Sequence, residues 1–190
     1  FGLTKVTMIN AGIPTIFLPA EALNYTGTEL QEDINSKPAE LDKLEHIRAR
    51  ASVAMGITTE IGESKNLQHI PKLAFLSPPQ DYVCSSGKNI KAKDVNLLVR
   101  AMSMGKLHHA MMGTAAVAIG AAAAIPGTVV NEVTSIDSKA KSVVFGHPSG
   151  TLRVGADATQ TSGKWFIQEV SMSRSARVLM EGRVRVHMSD

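Results

Sequence analysis

A chain of 190 residues, 44% hydrophobic but only 4% aromatic, can bury one good core or two small ones, and that core must be aliphatic. The net charge of +3 is small, Arg174, Arg177, Arg183 and Arg185 are spaced out rather than blocked, and two Tyr and one Trp give no stacking platform, which excludes nucleic acid as a partner. The lone Cys84, with no secretory signal ahead of it, points to a reducing, cytoplasmic setting, and the longest apolar run, Ala110 to Pro126, is too short and too rich in Ala and Gly to span a bilayer.

The chain starts at Phe1 rather than Met and is strand-like from Lys5 to Ile9, as expected of a piece of a longer protein. Thr4 to Pro19 alternates about a turn at Asn10-Ala11-Gly12-Ile13-Pro14. Thr28, with Gln31 in capping-box position, predicts a helix start. Pro38 suits the first turn of a second helix, which Leu41, Leu44, Ile47 and Arg48 continue to about Met55, with Glu40, Asp42, Lys43, Glu45 and Arg50 on a solvated face. Gly56 to Pro71 is a polar loop, and Lys72 to Ser77 a short buried strand. Prolines make Ser77 to Tyr82 irregular, and Ser85-Ser86-Gly87-Lys88 is a turn. Asp94 predicts the cap of a helix carrying Val95, Leu98, Val99 and Met102.

The loop Ser103-Met104-Gly105-Lys106-Leu107-His108-His109 then runs into an Ala-rich helix that continues to Ile125 and ends before Pro126-Gly127. Four strands follow: Ser142 to Gly146, Thr151 to Ala156, Trp165 to Ser173 and Ala176 to Met188. The class is α+β. A helix apolar on every face must be enclosed, most simply by a β-sheet wrapped around it.

The start of that helix offers free N–H groups at the positive end of its dipole, a seat for an anion beside Lys106, His108 and His109. Adjacent histidines on a strand point to opposite faces, and no Cys or carboxylate stands at ligand spacing, so no metal is expected. One of the two can still titrate near neutrality and contact a substrate. Cys84 has no cationic neighbour closer than Lys88 and reads as a bland buried thiol. Ser85-Ser86-Gly87 reads equally well as a plain turn or as a donor set for a carboxylate. Gly146-His147-Pro148-Ser149-Gly150 is a hairpin turn, and Met111 and Met112 stand at the helix mouth.

Four stretches, Asn10-Ala11-Gly12-Ile13-Pro14-Thr15, Tyr25-Thr26-Gly27-Thr28-Glu29-Leu30, Met104 to Thr114 and Gly146 to Leu152, resemble the second half of PrpF-type proteins. These are 2-methylaconitate cis-trans isomerases of propionate catabolism and the methylcitrate cycle, with relatives acting on methylitaconate and oxalomesaconate. The resemblance extends to Ser173-Arg174-Ser175-Ala176-Arg177-Val178-Leu179-Met180-Glu181-Gly182 and so covers nearly the whole chain. It implies the diaminopimelate-epimerase-like fold: two similar domains, each a sheet around a central helix, with substrate between them. Residues 1–175 would be the second domain, and 176–190 a strand completing the sheet of the absent N-terminal domain. Without that domain the strand is an unpaired edge, and association into a homo-oligomer is expected.

The resemblance further implies no cofactor and a small tricarboxylate as substrate. Met112, Gly113 and Thr114 would line the cleft, with Lys106, His109 and Ser86 as further contacts. Where the epimerases carry a catalytic Cys before Gly-Thr this chain has Met112, and where they carry a Glu-Arg pair it has Ser103-Met104. A thioether is neither acid nor base near neutrality, which excludes two-cysteine racemisation. The family's catalytic Lys and Cys belong to the first domain, so neither Lys106 nor Cys84 is assigned their place. The expected function is half of an isomerase moving a proton in an unsaturated tricarboxylate, this chain alone being inactive. The alternatives are a methylitaconate isomerase, a 4-oxalomesaconate tautomerase, or a non-catalytic binding and assembly fragment.

Overall fold

The computed structural model describes residues 3–134 and 141–186. Strands β1 (Thr7–Ala11) and β2 (Ile13–Pro19) form a hairpin. Gly12 takes φ +77° at its turn, and a Cβ there would stand 3.1 Å from Val117 Cγ1, so glycine supplies both the conformation and the close approach. Helices α1 (Gln31–Asn35) and α2 (Pro38–Ala54) lead to β3 (Lys72–Ser77), a small hairpin of β4 (Tyr82–Val83) and β5 (Asn89–Ile90), and β6 (Leu97–Ser103). Met104 and Gly105, both at positive φ, turn β6 back into β7 (Lys106–Leu107). Helices α3 (Gly113–Ala124) and α4 (Val129–Val133) precede β8 (Ser142–His147), β9 (Gly150–Thr161) and β10 (Lys164–Met172).

The main sheet runs β1-β2-β3-β6-β8-β9-β10, with β7 beside β6. The apolar helix α3 touches β1 and β2 near one end of this order and β9 and β10 at the other. A helix in contact with both ends of one sheet is enclosed by it, and Ala115, Ala116, Ala118, Ile119, Ala121 and Ala122 are buried accordingly. Small residues let the backbones close in, as the aliphatic composition requires. The C-terminal carbonyls of α3 are satisfied by side chains: Thr128 Oγ1 donates to Ala122 O at 2.6 Å, and Asn131 Nδ2 to Ala123 O at 2.8 Å.

Alternation along the strands assigns the two faces. Phe17, Ala74, Leu76, Leu97, Val99 and Ala101 pack inward on α3. Ile16, Leu18, Leu73, Phe75 and Met102 pack outward with residues of α1 and α2, including Ile34 and Leu44. Leu98, also on the outer face, packs with Tyr82, Cys84 and Ile90 of the small hairpin.

Three expectations need correction. The first helix starts at Gln31, not Thr28. Glu29 instead draws the preceding segment into a turn, accepting from the N–H groups of Thr26 at 2.6 Å and Gly27 at 2.9 Å, while Asp33 caps the helix from Leu30 N–H at 2.8 Å. The segment after Asp94 is strand β6, not helix. Leu97–Met102 is buried on both faces between two layers, and a run apolar at every position but Arg100 satisfies helical spacing by accident. Residues Ala176 to Val186 form no strand and are exposed, because an alternating segment still needs a neighbouring edge to satisfy its backbone and none among the described residues pairs with it. His187 and Met188 lie outside the described residues.

Candidate functional site at the start of the central helix

Met112, at φ −70° and ψ 133°, caps α3 with no side-chain hydrogen bond, and its carbonyl accepts from Ala116 N–H at 2.9 Å. The N–H groups of Gly113, Thr114 and Ala115 find no acceptor among the described residues, and the first turn holds no acidic residue. Instead, Arg174 lies over it. The chain after β10 is held by Ser173 N–H donating to Arg153 O at 3.1 Å, and a Cβ on Gly113 would stand 2.4 Å from Arg174 Nη2. Any other residue at 113 would displace the guanidinium. A cation at the positive end of a helix dipole is unfavourable alone, and the two together favour an anion that touches both.

The inner face of the sheet beside this point is also cationic. Thr15 pairs with Lys72 and Ser103 with Lys106, while Leu73 opposite Met102 brings Lys72 level with Ser103, so the four form one row across β2, β3, β6 and β7. Lys72 Nζ donates to Ser103 Oγ at 2.9 Å, and no carboxylate pairs with it among the described residues. Burial lowers the Lys72 pKa, and Arg48 adds to the effect.

His108 follows β7, its N–H donating to Ala101 O at 2.9 Å. Its Nδ1 accepts from Ala110 N–H at 3.1 Å, which leaves Nε2 to carry the proton of the neutral ring. Burial, then the neighbouring His109 and more weakly Lys72, hold its pKa below the usual histidine range. The condition under which the two histidines would point to opposite faces is not met: β7 stops at Leu107, and in the bend beyond it the two rings stack with centroids 4.6 Å apart. Among the described residues no three His, Cys, Asp or Glu gather as metal ligands would.

The structure thus brings the candidates Met112, Gly113 and Thr114 to one helix start, with His109 in the loop leading to it and the exposed Lys106 in the adjoining row. Ser86 is placed differently. It occupies the turn of the β4–β5 hairpin on the outer face, with its hydroxyl 3.3 Å from the thiol of Cys84, whose pKa that contact lowers. The hairpin reaches the histidine loop indirectly: Ser85 N–H donates to Pro148 O at 2.7 Å, and the Ser149 hydroxyl donates to His109 O. Sequence reasoning missed Lys72 and Arg174 as members of the site. Lys72 left a signal, being a lysine at the head of a strand that is otherwise apolar until Ser77; Arg174 left none, because its position depends on how the chain leaves β10.

The family model described as PrpF protein matches residues 1–187. The 2-methyl-aconitate isomerase of Shewanella oneidensis is 63% identical over 97% of this chain and 46% of its own length. The protein of the same name from Cupriavidus necator is 59% identical over the same shares. Among solved structures, that of a methylitaconate-delta-isomerase matches with a TM-score of 0.78 and 35% identity, over 89% of this chain and 45% of that one. The chain spans about half the length of the relatives it matches. Its fold is α+β of the diaminopimelate-epimerase-like kind, a sheet wrapped around an apolar helix, and the chain belongs to the PrpF family.

Proposed function

We propose that this chain supplies one wall of the substrate cleft of a cofactor-independent isomerase that moves a proton in an unsaturated tricarboxylate, with 2-methylaconitate as substrate. The observation that carries the reading is the start of α3: free N–H groups, no acidic residue, and the guanidinium of Arg174 over Gly113. That arrangement receives a carboxylate, and the names of the relatives at 63% and 59% identity supply the acid. The solved methylitaconate-delta-isomerase, at 35%, makes the methylitaconate reading the second choice.

In the proposed reaction a base removes a proton from carbon next to a carboxylate-activated double bond. The bond order falls, rotation occurs in the delocalised anion, and an acid returns the proton. Helix N–H groups and cations stabilise the enolate-like charge that develops. This wall offers no thiol for the transfer, since Met112 stands at the helix cap and Cys84 packs on the outer face. On this reading the acid and the base are supplied by a first domain, as the family resemblance implies. Residues 176–186, exposed and unpaired among the described residues of this chain, would find on the sheet of that domain the neighbouring edge they lack here. The reading places the protein in propionate catabolism by the methylcitrate route, in the cytoplasm.

The test is turnover of 2-methylaconitate, 3-methylitaconate and 4-oxalomesaconate by the whole protein, with whatever lies beyond this chain in place. The expected outcome is preference for 2-methylaconitate, and in Arg174→Gln a KM raised about tenfold or more by the lost charge-assisted contact. Equal or absent turnover of all three acids overturns the reading.

A further inference from the structure

Lys72 is a buried cation without a counter-charge among the described residues, and nothing in the packing there explains why a lysine stands at this position. It is 7% exposed, and it opens a strand whose residues Ala74 and Leu76 on the same face are core against α3. Its ammonium has three donors, of which Ser103 Oγ takes one. No second acceptor meets it among the described residues, and its charged or titratable neighbours, Arg48 and His108, are cationic or neutral. Isolated buried ammonium groups are costly, and a chain needing only to fill this position could use Met or Leu.

Its place gives the amine a use. Lys72 lies on the face that lines α3, in the row Thr15–Lys72–Ser103–Lys106. That row borders the β1–β2 turn, where Gly12 packs against Val117 and lies near the carbonyl of Thr114 in the first turn of α3. His108, whose pKa responds to Lys72, stands only five residues before Gly113. A donor set on the inner face of the sheet beside the helix start, short of acceptors and with no carboxylate against it among the described residues, is completed by an anionic oxygen.

We propose that the Lys72 ammonium, oriented by Ser103, binds a second carboxylate of the substrate whose first carboxylate sits on the start of α3 beneath Arg174. The proposal rests on the reading of the site as a tricarboxylate cleft and adds to it a group that distinguishes acids by the number and spacing of their carboxylates. Lys72 is thus a binding residue and Ser103 a positioning residue.

The experiment is calorimetric binding of propane-1,2,3-tricarboxylate, glutarate and succinate to the whole protein and to its Lys72→Met and Lys72→Arg forms. Lys72→Met is expected to lose about tenfold or more in affinity for the tricarboxylate, as removal of a charged hydrogen bond does, and under about twofold for whichever dicarboxylate lacks the group that Lys72 holds. Lys72→Arg is expected to recover part of the loss. A purely structural role would weaken all three acids alike or none, and either pattern overturns the proposal. Binding of the tricarboxylate to Lys72→Met within about twofold of the parent overturns it while leaving the cleft reading intact. Failure of the parent to bind any of the three acids overturns both. Should Lys72→Met not fold, the side-chain signal of isotopically labelled Lys72 in the parent decides: it moves on adding the tricarboxylate, or the proposal falls.

Discussion

Arg48 and Lys72 are both buried cations, and they are treated in opposite ways. Arg48, on α2 in the outer layer, spends every N–H it has: Nε and Nη2 grip Glu45 at 2.7 and 2.6 Å, Nη2 also reaches Ser64 O at 2.7 Å, and Nη1 reaches Leu67 O at 3.1 Å and Ile70 O at 2.6 Å. It pins the loop before β3 to α2. Lys72, two residues beyond Ile70 but facing α3, is given one hydroxyl. The same stretch of chain therefore neutralises one charge completely and leaves the next largely unspent. The charge of Arg48, outside the sheet, is consumed in fastening the fold, and that of Lys72, inside it, is kept in reserve beside the helix start.

The largest effect that would sharpen this contrast is the loss of Arg48. Arg48→Met strands the Glu45 carboxylate and three carbonyls, and a destabilisation of about 4 kcal/mol is expected in urea unfolding. A loss below about 1 kcal/mol would mean that the outer charge is not a fastener, and the contrast would collapse.

A pH effect comes next, from a third buried cation. Arg100 is fully buried, pushed down to about 10 by its burial, and its Nη2 has no partner among the described residues. His147 is 9% exposed and pushed down to about 4, first by burial and then by that guanidinium. Above the unfolded pKa of about 6.5 both states are neutral at this ring. Between that pH and about 4 the unfolded chain binds the extra proton, so stability falls on acidification, by about 3 kcal/mol at most. Denaturation from pH 7 to 4 should show the fall, and His147→Gln should flatten it; an unchanged slope in that variant would clear Arg100 and His147 of responsibility.

The smallest expected effect is the most telling. Lys72→Met exchanges a desolvated ammonium for an apolar side chain, so stability should be unchanged or higher by about 1 kcal/mol, opposite in sign to Arg48→Met. A loss of several kcal/mol on thermal or urea unfolding would make Lys72 a second fastener and erase the difference between the two layers.

Much of this architecture could be read from residue order. The enclosed helix followed from an Ala-rich run with no polar face, and β3 from a short apolar run, because burial on all sides writes itself into local composition. The site was legible where it is local: Met112, Gly113 and Thr114 are a helix start in any context. It was illegible where it depends on register or on the path of the chain. Lys72 joins the site because β3 pairs with β6, and the error that made β6 a helix hid that pairing. Arg174 joins it because the segment after β10 turns back over Gly113. Ser86 shows the reverse case, a turn attractive in sequence that the fold sets on the outer face, its hydroxyl engaged by Cys84.

The row Thr15–Lys72–Ser103–Lys106 has a consequence for how such a protein can change over time. Side chains on neighbouring strands share a face only while the strands stay in step, and a shift of one residue sends each to the opposite side. Substitution can retune the charges one position at a time. A single inserted or deleted residue within β3 or β6 would turn Lys72 or Ser103 toward α2 and expel it from the site in one event. Length variation among descendants of this chain is therefore confined to its loops, such as residues 56–71, while the spacing within these strands is inherited unaltered.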